Sequence, residues 1–315
     1  MYYLGVDLGG TKTEVAVVDR NGTILRSKRI LTLGEDGPEK VLERICTSID
    51  EVTVETKLDL KDILGIGIGV PGAVDHSKGS IYFLTNLPGW TDFPIKDFLI
   101  SKYNTPIVVN NDANAAALAE YIFGNGIGTS NMVYLTVSTG IGGGLIANGT
   151  LLNGAWGAAG EVGHMVLDVD GDECNCGNRG CWETISSGSA IARGVINRIK
   201  AGEKSKATEL ASLDEIRAEH VFRARAMGDA VSIEVTDRAM DFLGIGIANL
   251  VNVLNPEKVI IGGGVSKVGD LLFTRVCERV KELAYGSAVK VEIQPAYLGT
   301  KAGVIGAATL AMSTL

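Results

Sequence analysis

Residues 2–23 read Tyr-Tyr-Leu-Gly-Val-Asp-Leu-Gly-Gly-Thr-Lys-Thr-Glu-Val-Ala-Val-Val-Asp-Arg-Asn-Gly-Thr. Residues 132–150 read Met-Val-Tyr-Leu-Thr-Val-Ser-Thr-Gly-Ile-Gly-Gly-Gly-Leu-Ile-Ala-Asn-Gly-Thr. In both stretches an apolar, β-branched run meets a polar glycine turn, a second apolar run follows, and Asn-Gly-Thr closes the unit. Asn-Gly is the dipeptide that a type I′ hairpin turn prefers, so such turns are predicted at Asn21-Gly22 and Asn148-Gly149. Two spaced copies of one plan predict a duplicated domain with a cleft between its halves.

The segments around the copies extend the pattern. Leu64-Gly-Ile-Gly-Ile-Gly-Val70 is a short buried strand that stops at Pro71-Gly72. A strand over residues 107–109 leads into Asn110-Asn111-Asp112 and an alanine-rich run that favours helix. Asn111 or Asp112 is thereby placed at the helix N-terminus, where short polar side chains cap free amides. Residues 200–225 are charged and predict exposed helices. Residues 259–261 form a strand running into Gly262-Gly263-Gly264, residues 268–283 an amphipathic helix, and a last helix begins near Lys301. Strands alternating with helices predict an α/β fold with mixed sheets.

At 315 residues the chain is too long for one ordinary core, and two domains are expected. Apolar residues make up 46% and the mean hydropathy is +0.21, enough for both cores. The most apolar stretch, residues 242–254, is too short to span a bilayer. The chain opens directly on a strand, with no basic region and apolar signal core ahead of it. A formal charge of −8 argues against nucleic-acid binding. Five cysteines, three of them clustered, fit a reduced cytoplasmic chain with a metal site better than a disulfide framework.

Three groups of residues carry chemistry. In Asp7-Leu8-Gly9-Gly10-Thr11-Lys12, backbone amides can approach a phosphate, with a hydroxyl and a lysine beside them, and Asp7 can orient Mg²⁺ through water. The turn over residues 138–144 offers a second amide-rich surface. Either turn alone reads equally well as a tight hairpin. Together with Gly262-Gly263-Gly264 they point to a nucleoside triphosphate, although none is a Walker A loop or a dinucleotide fingerprint. Asp112 is the candidate general base for a hydroxyl attacking a γ-phosphate, with helix capping as its plain alternative.

The third group is a metal set. His164, Cys174, Cys176 and Cys181 fall within eighteen residues, and a Gly-Asn-Arg-Gly turn separates the last two cysteines. Cys₃His is a closed tetrahedral zinc site with no position left for catalytic water. Glu161 and Glu183 flank the set, where their carboxylates can accept hydrogen bonds from paired sugar hydroxyls, and His164 can donate from its ring nitrogen that is not on zinc. His76 and His220 lack such neighbours and are placed on the surface. Cys46 and Cys277 fall in predicted helices as core or half-buried residues.

Asp7-Leu-Gly-Gly-Thr-Lys12, Gly69-Val-Pro-Gly72, Asn111-Asp112, the 138–144 turn, Glu161-x-x-His164 and Cys-x-Cys-Gly-x-x-Gly-Cys-x-Glu occur in the order seen in the ROK family, which the chain resembles over nearly its whole length. The resemblance implies a two-domain actin-like ATPase (ribonuclease H-like) fold with nucleotide and sugar in the interdomain cleft. It implies a small domain of residues 1–112 plus 300–315 and a larger one of residues 113–299 with the zinc loop. Asp112 resembles the family's catalytic base. Gly72, Asn111, Glu161, His164 and Glu183 resemble its sugar contacts, with Asn86 as a further one. Thr11, Lys12, Thr139 and Gly140 resemble phosphate contacts, and Gly263 and Gly264 the adenosine side. The implied activity is ATP-dependent phosphorylation of a hexose at the 6-hydroxyl, glucose first, with Mg²⁺ beside ATP, structural Zn²⁺ and a homodimer. Mannose, fructose, N-acetylmannosamine and N-acetylglucosamine remain alternative sugars. A sugar-sensing repressor of the same family is disfavoured by the net charge and by the six residues ahead of Asp7.

Overall fold

The computed structural model describes residues 1–84 and 87–313, Phe83 by its backbone alone. The strands are β1 (Tyr2–Leu8), β2 (Lys12–Asp19), β3 (Ile24–Leu31), β4 (Ile63–Val70), β5 (Ala73–Asp75), β6 (Ser80–Phe83), β7 (Ile107–Asn111), β8 (Met132–Val137), β9 (Ile141–Ala147), β10 (Thr150–Leu151), β11 (Lys258–Gly262) and β12 (Glu292–Pro295). The helices are α1 (Pro38–Glu55), α2 (Ile95–Ile100), α3 (Asp112–Phe123), α4 (Glu183–Ser186), α5 (Gly188–Lys200), α6 (Ala218–Ala226), α7 (Ala230–Leu254), α8 (Asp270–Leu283) and α9 (Ala302–Met312).

Two five-stranded sheets share one connectivity, β3-β2-β1-β4-β7 and β10-β9-β8-β11-β12. In the first, β1 pairs antiparallel with β2 and parallel with β4, and β4 pairs parallel with β7. In the second, β11 lies parallel to both β8 and β12. Two hairpin-linked strands on one side and two parallel strands on the other give the same mixed sheet twice, as the repeated motif predicts.

The Asn-Gly turns differ. Asn148 (φ 51°) and Gly149 (φ 75°) are both left-handed, as a type I′ turn requires. At the first copy Gly22 (φ 78°) is left-handed and Asn21 is not. There Asp19 Oδ1 accepts from the N–H groups of Asn21 and Thr23, each at 2.9 Å. A side-chain acceptor ahead of the turn replaces the type I′ geometry.

The chain divides into two compact units. The first comprises Met1–Thr129, Gly144–Gly160 and Tyr297–Leu315, and the second Ser130–Gly143 and Glu161–Ala296. The first unit thus takes in α3 and residues 144–160 beyond the segments expected for a small domain. In this unit Leu4, Val6 and Leu8 of β1 face Leu42, Ile45 and Ile49 of α1, while Tyr3 faces Val304 and Ala308 of α9. The alternation follows from the two-residue strand period. Helix α9 lies unusually close to the sheet. A Cβ on Gly5 would stand 2.1 Å from Val304 O, and one on Gly67 1.7 Å from Ala307 O. One on Gly306 would stand 2.2 Å from Ala115 O of α3. Three glycines therefore let α9 seat on β1, β4 and α3 at backbone distance.

The segment that leads back into α9 is held by one buried carboxylate. Glu120 Oε1 accepts from Leu298 N–H at 2.7 Å, and Oε2 accepts from Tyr297 N–H at 3.1 Å and Asn125 N–H at 3.2 Å. In the second unit Glu257 Oε2 does the same for Ser130 and Asn131, each at 2.7 Å. No helix among the described residues is long and apolar enough to cross a membrane. Glu120→Ala leaves three amides without their acceptor and is expected to cost on the order of 3 kcal/mol in urea unfolding. A loss below about 1 kcal/mol would show that water replaces the carboxylate at this position.

Candidate active site

Strands β1, β4 and β7 are parallel, so their carboxyl ends share one edge of the first sheet, where α/β proteins place their ligands. Asp7 is paired with Gly69 and Gly69 with Asn110, so the three form one row across the sheet. Gly72 follows β4, with φ 148°. Asn111 Nδ2 donates to Gly72 O at 3.3 Å. Asp7, Gly72, Asn111 and Asp112 are thus brought to the same edge of the sheet.

Asn111 is the cap of α3, its Oδ1 accepting from Ala113 N–H at 2.8 Å and Asn114 N–H at 3.2 Å. Asp112 occupies the first helical position, half-buried, with Oδ1 2.7 Å from the shared Ala113 N–H. Asn111 is thus the capping residue, while Asp112 shares one of the same amides from inside the helix. The helix dipole favours negative charge at this end.

The turn between β1 and β2 is braced from behind. Gly9 N–H donates to Lys12 O at 3.1 Å, and a Cβ on Gly9 would stand 2.7 Å from that oxygen. Thr32 Oγ1 donates to Gly9 O at 2.7 Å, and Thr32 N–H to Thr11 O at 2.9 Å. Gly10, Thr11 and Lys12 are left exposed. Asn86 lies outside the described residues.

In the second unit the phosphate and adenosine candidates also converge. Ser138 N–H donates to Gly140 O at 2.9 Å, and Gly188 N–H at the start of α5 donates to Ser138 O at 2.7 Å. Gly263 (φ 87°) passes so near β8 that a Cβ would stand 2.3 Å from Val137 O. Gly264 faces Ser138 Oγ, with exposed Thr139 beside it in the turn. Beyond this corner opens a cavity of about 1400 Å³, bordered by Ser138, Thr139 and Gly264. Its walls bring apolar Ile196, Phe222 and Leu271 together with Arg193, Arg217 and Lys267, a mixture suited to an aromatic base on a charged chain. Sequence reasoning missed these side chains. Residues 200–225 read as exposed helices; they form two short 3-10 helices and α6, and Phe222 of α6 lines the cavity.

The metal set is gathered. The ligand atoms of His164, Cys174, Cys176 and Cys181 all lie within 4.8 Å of one another. His164 Nδ1 is 3.6 Å from Cys174 Sγ, and Cys176 Sγ is 3.6 Å from Cys181 Sγ. Zinc–sulfur bonds of about 2.3 Å in a tetrahedron put sulfurs about 3.8 Å apart, so the donors fit zinc in number, kind and spacing. Burial first, and then the neighbouring thiols, push the Cys181 thiol up to about 12, a cost that a cation among the sulfurs would offset. The knuckle is shaped by Gly177 (φ 91°) and Gly180 (φ 71°).

His164 turns Nε2 toward Glu161 Oε2, 3.9 Å away. Burial raises the Glu161 carboxyl above its ordinary range, His164 opposes the rise and the charge of Glu183 adds to it. Next to Cys181, Trp182 is fully buried against Gly246 of α7 and fixes the start of α4. Glu183 then reaches the turn, its Oε2 accepting from Ile141 N–H at 2.8 Å, in a space that a Cβ on Gly140 would fill. Glu161, His164 and Glu183 therefore form one polar group, and Glu183 also supports the glycine turn.

Asp7 is shifted the other way from an ordinary ion-paired aspartate. Burial, then the charge of Glu14 across the strand pair, raise it from 3.8 to about 6, against the pull of Arg29. Gly303 at the start of α9 leaves the room it occupies, since a Cβ there would stand 2.3 Å from Oδ2. A carboxyl raised by folding favours the fold at low pH and costs stability once ionised, fully above pH 6. Asp7→Asn is expected to melt higher than the parent chain at pH 8 without Mg²⁺, by at most about 3 kcal/mol, and to match it at pH 4. A gain that persists unchanged at pH 4 would place the cause elsewhere.

Comparison with known proteins follows the same outline. The model of the ROK family matches residues 3–314. Glucokinase of Halalkalibacterium halodurans is 40% identical over 308 residues, 97% of this chain and 93% of that protein. A ROK family glucokinase from Streptomyces griseus, solved in complex with glucose and AMPPNP, superimposes with a TM-score of 0.85 at 34% identity, over 99% of this chain and 100% of that one. A putative xylose repressor of Caldicellulosiruptor sp. is 33% identical over 99% of this chain and 78% of its own. With a family model spanning nearly every residue, and the motifs of that family folded as described, the chain belongs to the ROK family and has its actin-like ATPase fold.

Proposed function

We propose that this chain transfers the γ-phosphoryl group of ATP to the 6-hydroxyl of glucose, giving glucose 6-phosphate and ADP. The observation that carries this reading is the division of labour at the start of α3, where Asn111 caps the helix and Asp112 presents a held carboxylate at the ligand edge of the sheet. The similarity to glucokinases, and to one solved with glucose and AMPPNP, supports both substrates.

Asp112 takes the proton of the 6-hydroxyl as its oxygen attacks the γ-phosphorus, and the bond to the β-phosphate oxygen breaks to release ADP. The two glycine turns would stabilise the charge that builds on the transferring group through amides other than those of Gly9 and Ser138, which donate within their own turns. Mg²⁺, when bound with ATP, neutralises phosphate charge, and Asp7 is the side chain of this edge suited to orient it. Gly72, Asn111, Glu161, His164 and Glu183 bind the remaining sugar hydroxyls. Zinc would be held by His164, Cys174, Cys176 and Cys181 as a structural ion that fixes the loop between Glu161 and Glu183. The base and ribose take the cavity beside Gly263 and Gly264. The two compact units serve as the two domains, and a homodimer in the cytoplasm is the state we expect.

A coupled assay with MgATP across hexoses and their N-acetylated forms is expected to give glucose the highest kcat/KM. A higher value for any other sugar would reassign the substrate. Asp112→Asn should lower kcat by about 10³-fold while glucose affinity stays within a few-fold. Phosphotransfer retained within tenfold in that variant would remove Asp112 from the base role.

A further inference from the structure

Behind Asp112 lies a connected chain of amides that the phosphotransfer step does not use. Asn110 is buried at the end of β7, 6% exposed, and Asn114 is buried in the first turn of α3. Asn110 Oδ1 accepts from Asn111 N–H at 2.8 Å and from Asn114 Nδ2 at 3.1 Å. Asn110 Nδ2 donates to Asn153 Oδ1 at 2.8 Å. The orientation of every amide follows from one fact. A backbone N–H can only donate, so Asn110 must turn its oxygen to Asn111, which leaves its nitrogen for Asn153 and requires an acceptor there.

Asn153 begins a loop with its own character. Gly154, Gly157 and Gly160 all have positive φ, between 71° and 91°. A Cβ on Gly157 would stand 2.0 Å from Val74 O, so the loop lies against the strand that starts immediately after Gly72. Trp156 at its crest is 81% exposed, whereas Trp90 and Trp182, the other tryptophans, are buried. The loop runs on directly into Glu161. One buried amide thus joins the backbone of Asn111, the first turn of the helix that begins with Asp112, and the loop that lies against Val74.

We propose that Asn110 is a positioning residue that sets the 153–160 loop against the start of α3, so that glucose capture depends on the Asn110–Asn153 bond. The proposal rests on the glucokinase reading. It is separable from it, because a parent chain that turns over no hexose refutes that reading before any variant is made.

The test uses the amide logic. Asn153→Asp keeps an acceptor for Asn110 Nδ2. Asn110→Asp keeps the acceptor for Asn111 N–H, and Asn153 can then turn its amide to donate. Either single change should leave glucose KM within about threefold of the parent. The double variant puts two carboxylates face to face with no donor between them. It should raise glucose KM at least tenfold beyond the product of the two single effects, with ATP KM unchanged and melting still well above assay temperature. Asn153→Leu, which has no acceptor, should raise glucose KM similarly. A glucose-dependent change in tryptophan fluorescence is expected from exposed Trp156, should be absent in Trp156→Phe, and should move to the same higher concentrations. A double variant whose glucose KM equals the product of the singles would overturn the proposal. So would equal rises in glucose and ATP KM, or a fall in kcat alone, because these mark a staple of the unit and not a link to sugar capture.

Discussion

The carboxylate of Glu183, seated in the space that Gly140 leaves and accepting from Ile141 N–H, is the contact on which the second unit's chemistry depends. It joins the end of the cysteine knuckle to the glycine turn between β8 and β9. The two preceding residues secure it from behind, Trp182 by complete burial against α7 and Cys181 by its place among the four candidate metal ligands. A side chain on Gly140 would displace the carboxylate, and loss of the knuckle would leave Glu183 without its anchor. Glu183 and the glycine turn in this unit are thus parts of one arrangement.

The first unit reaches a comparable rigidity by other means. Its acidic groups stand at the ends of parallel strands, and those strands are held by α9 at backbone distance through Gly5, Gly67 and Gly306. Packing this close leaves little freedom for Asp7, which Gly303 admits and burial keeps near a pKa of about 6. The raised value is a strain in the free protein that a cation on the carboxylate would relieve. Asp112 is treated differently. Its neighbour Asn111 is the cap of α3, and Asp112 shares only the Ala113 N–H with it, which is the basis for proposing its carboxylate as the base.

Much of this was legible from local residues. The glycine turns, Asn111-Asp112 and the Cys₃His set are each short in sequence, and their chemistry follows from residue type and spacing. Legibility failed wherever a partner lay far along the chain. Glu120 reads as the polar end of an alanine helix, yet its partners are Tyr297 and Leu298. Asn110 reads as one more polar residue beside a helix start, and its partner Asn153 is 43 positions away. The cavity walls on α5 and α6 failed for another reason, since an amphipathic helix facing a ligand and one facing a core have the same periodicity. At Asn21-Gly22 the error was local, because Asp19 supplied the acceptor that decided the turn.

These features meet in one loop, for which we propose a structural metal held by His164, Cys174, Cys176 and Cys181 and sugar-binding carboxylates on either side. Glucose binding measured calorimetrically on zinc-loaded protein, and on protein stripped by a chelator at a temperature where it stays folded, addresses this most directly. The stripped protein should bind glucose at least tenfold more weakly, with readdition of zinc restoring the affinity. Unchanged affinity after complete removal of the metal would contradict it, and would leave the knuckle as a staple with no part in holding the sugar.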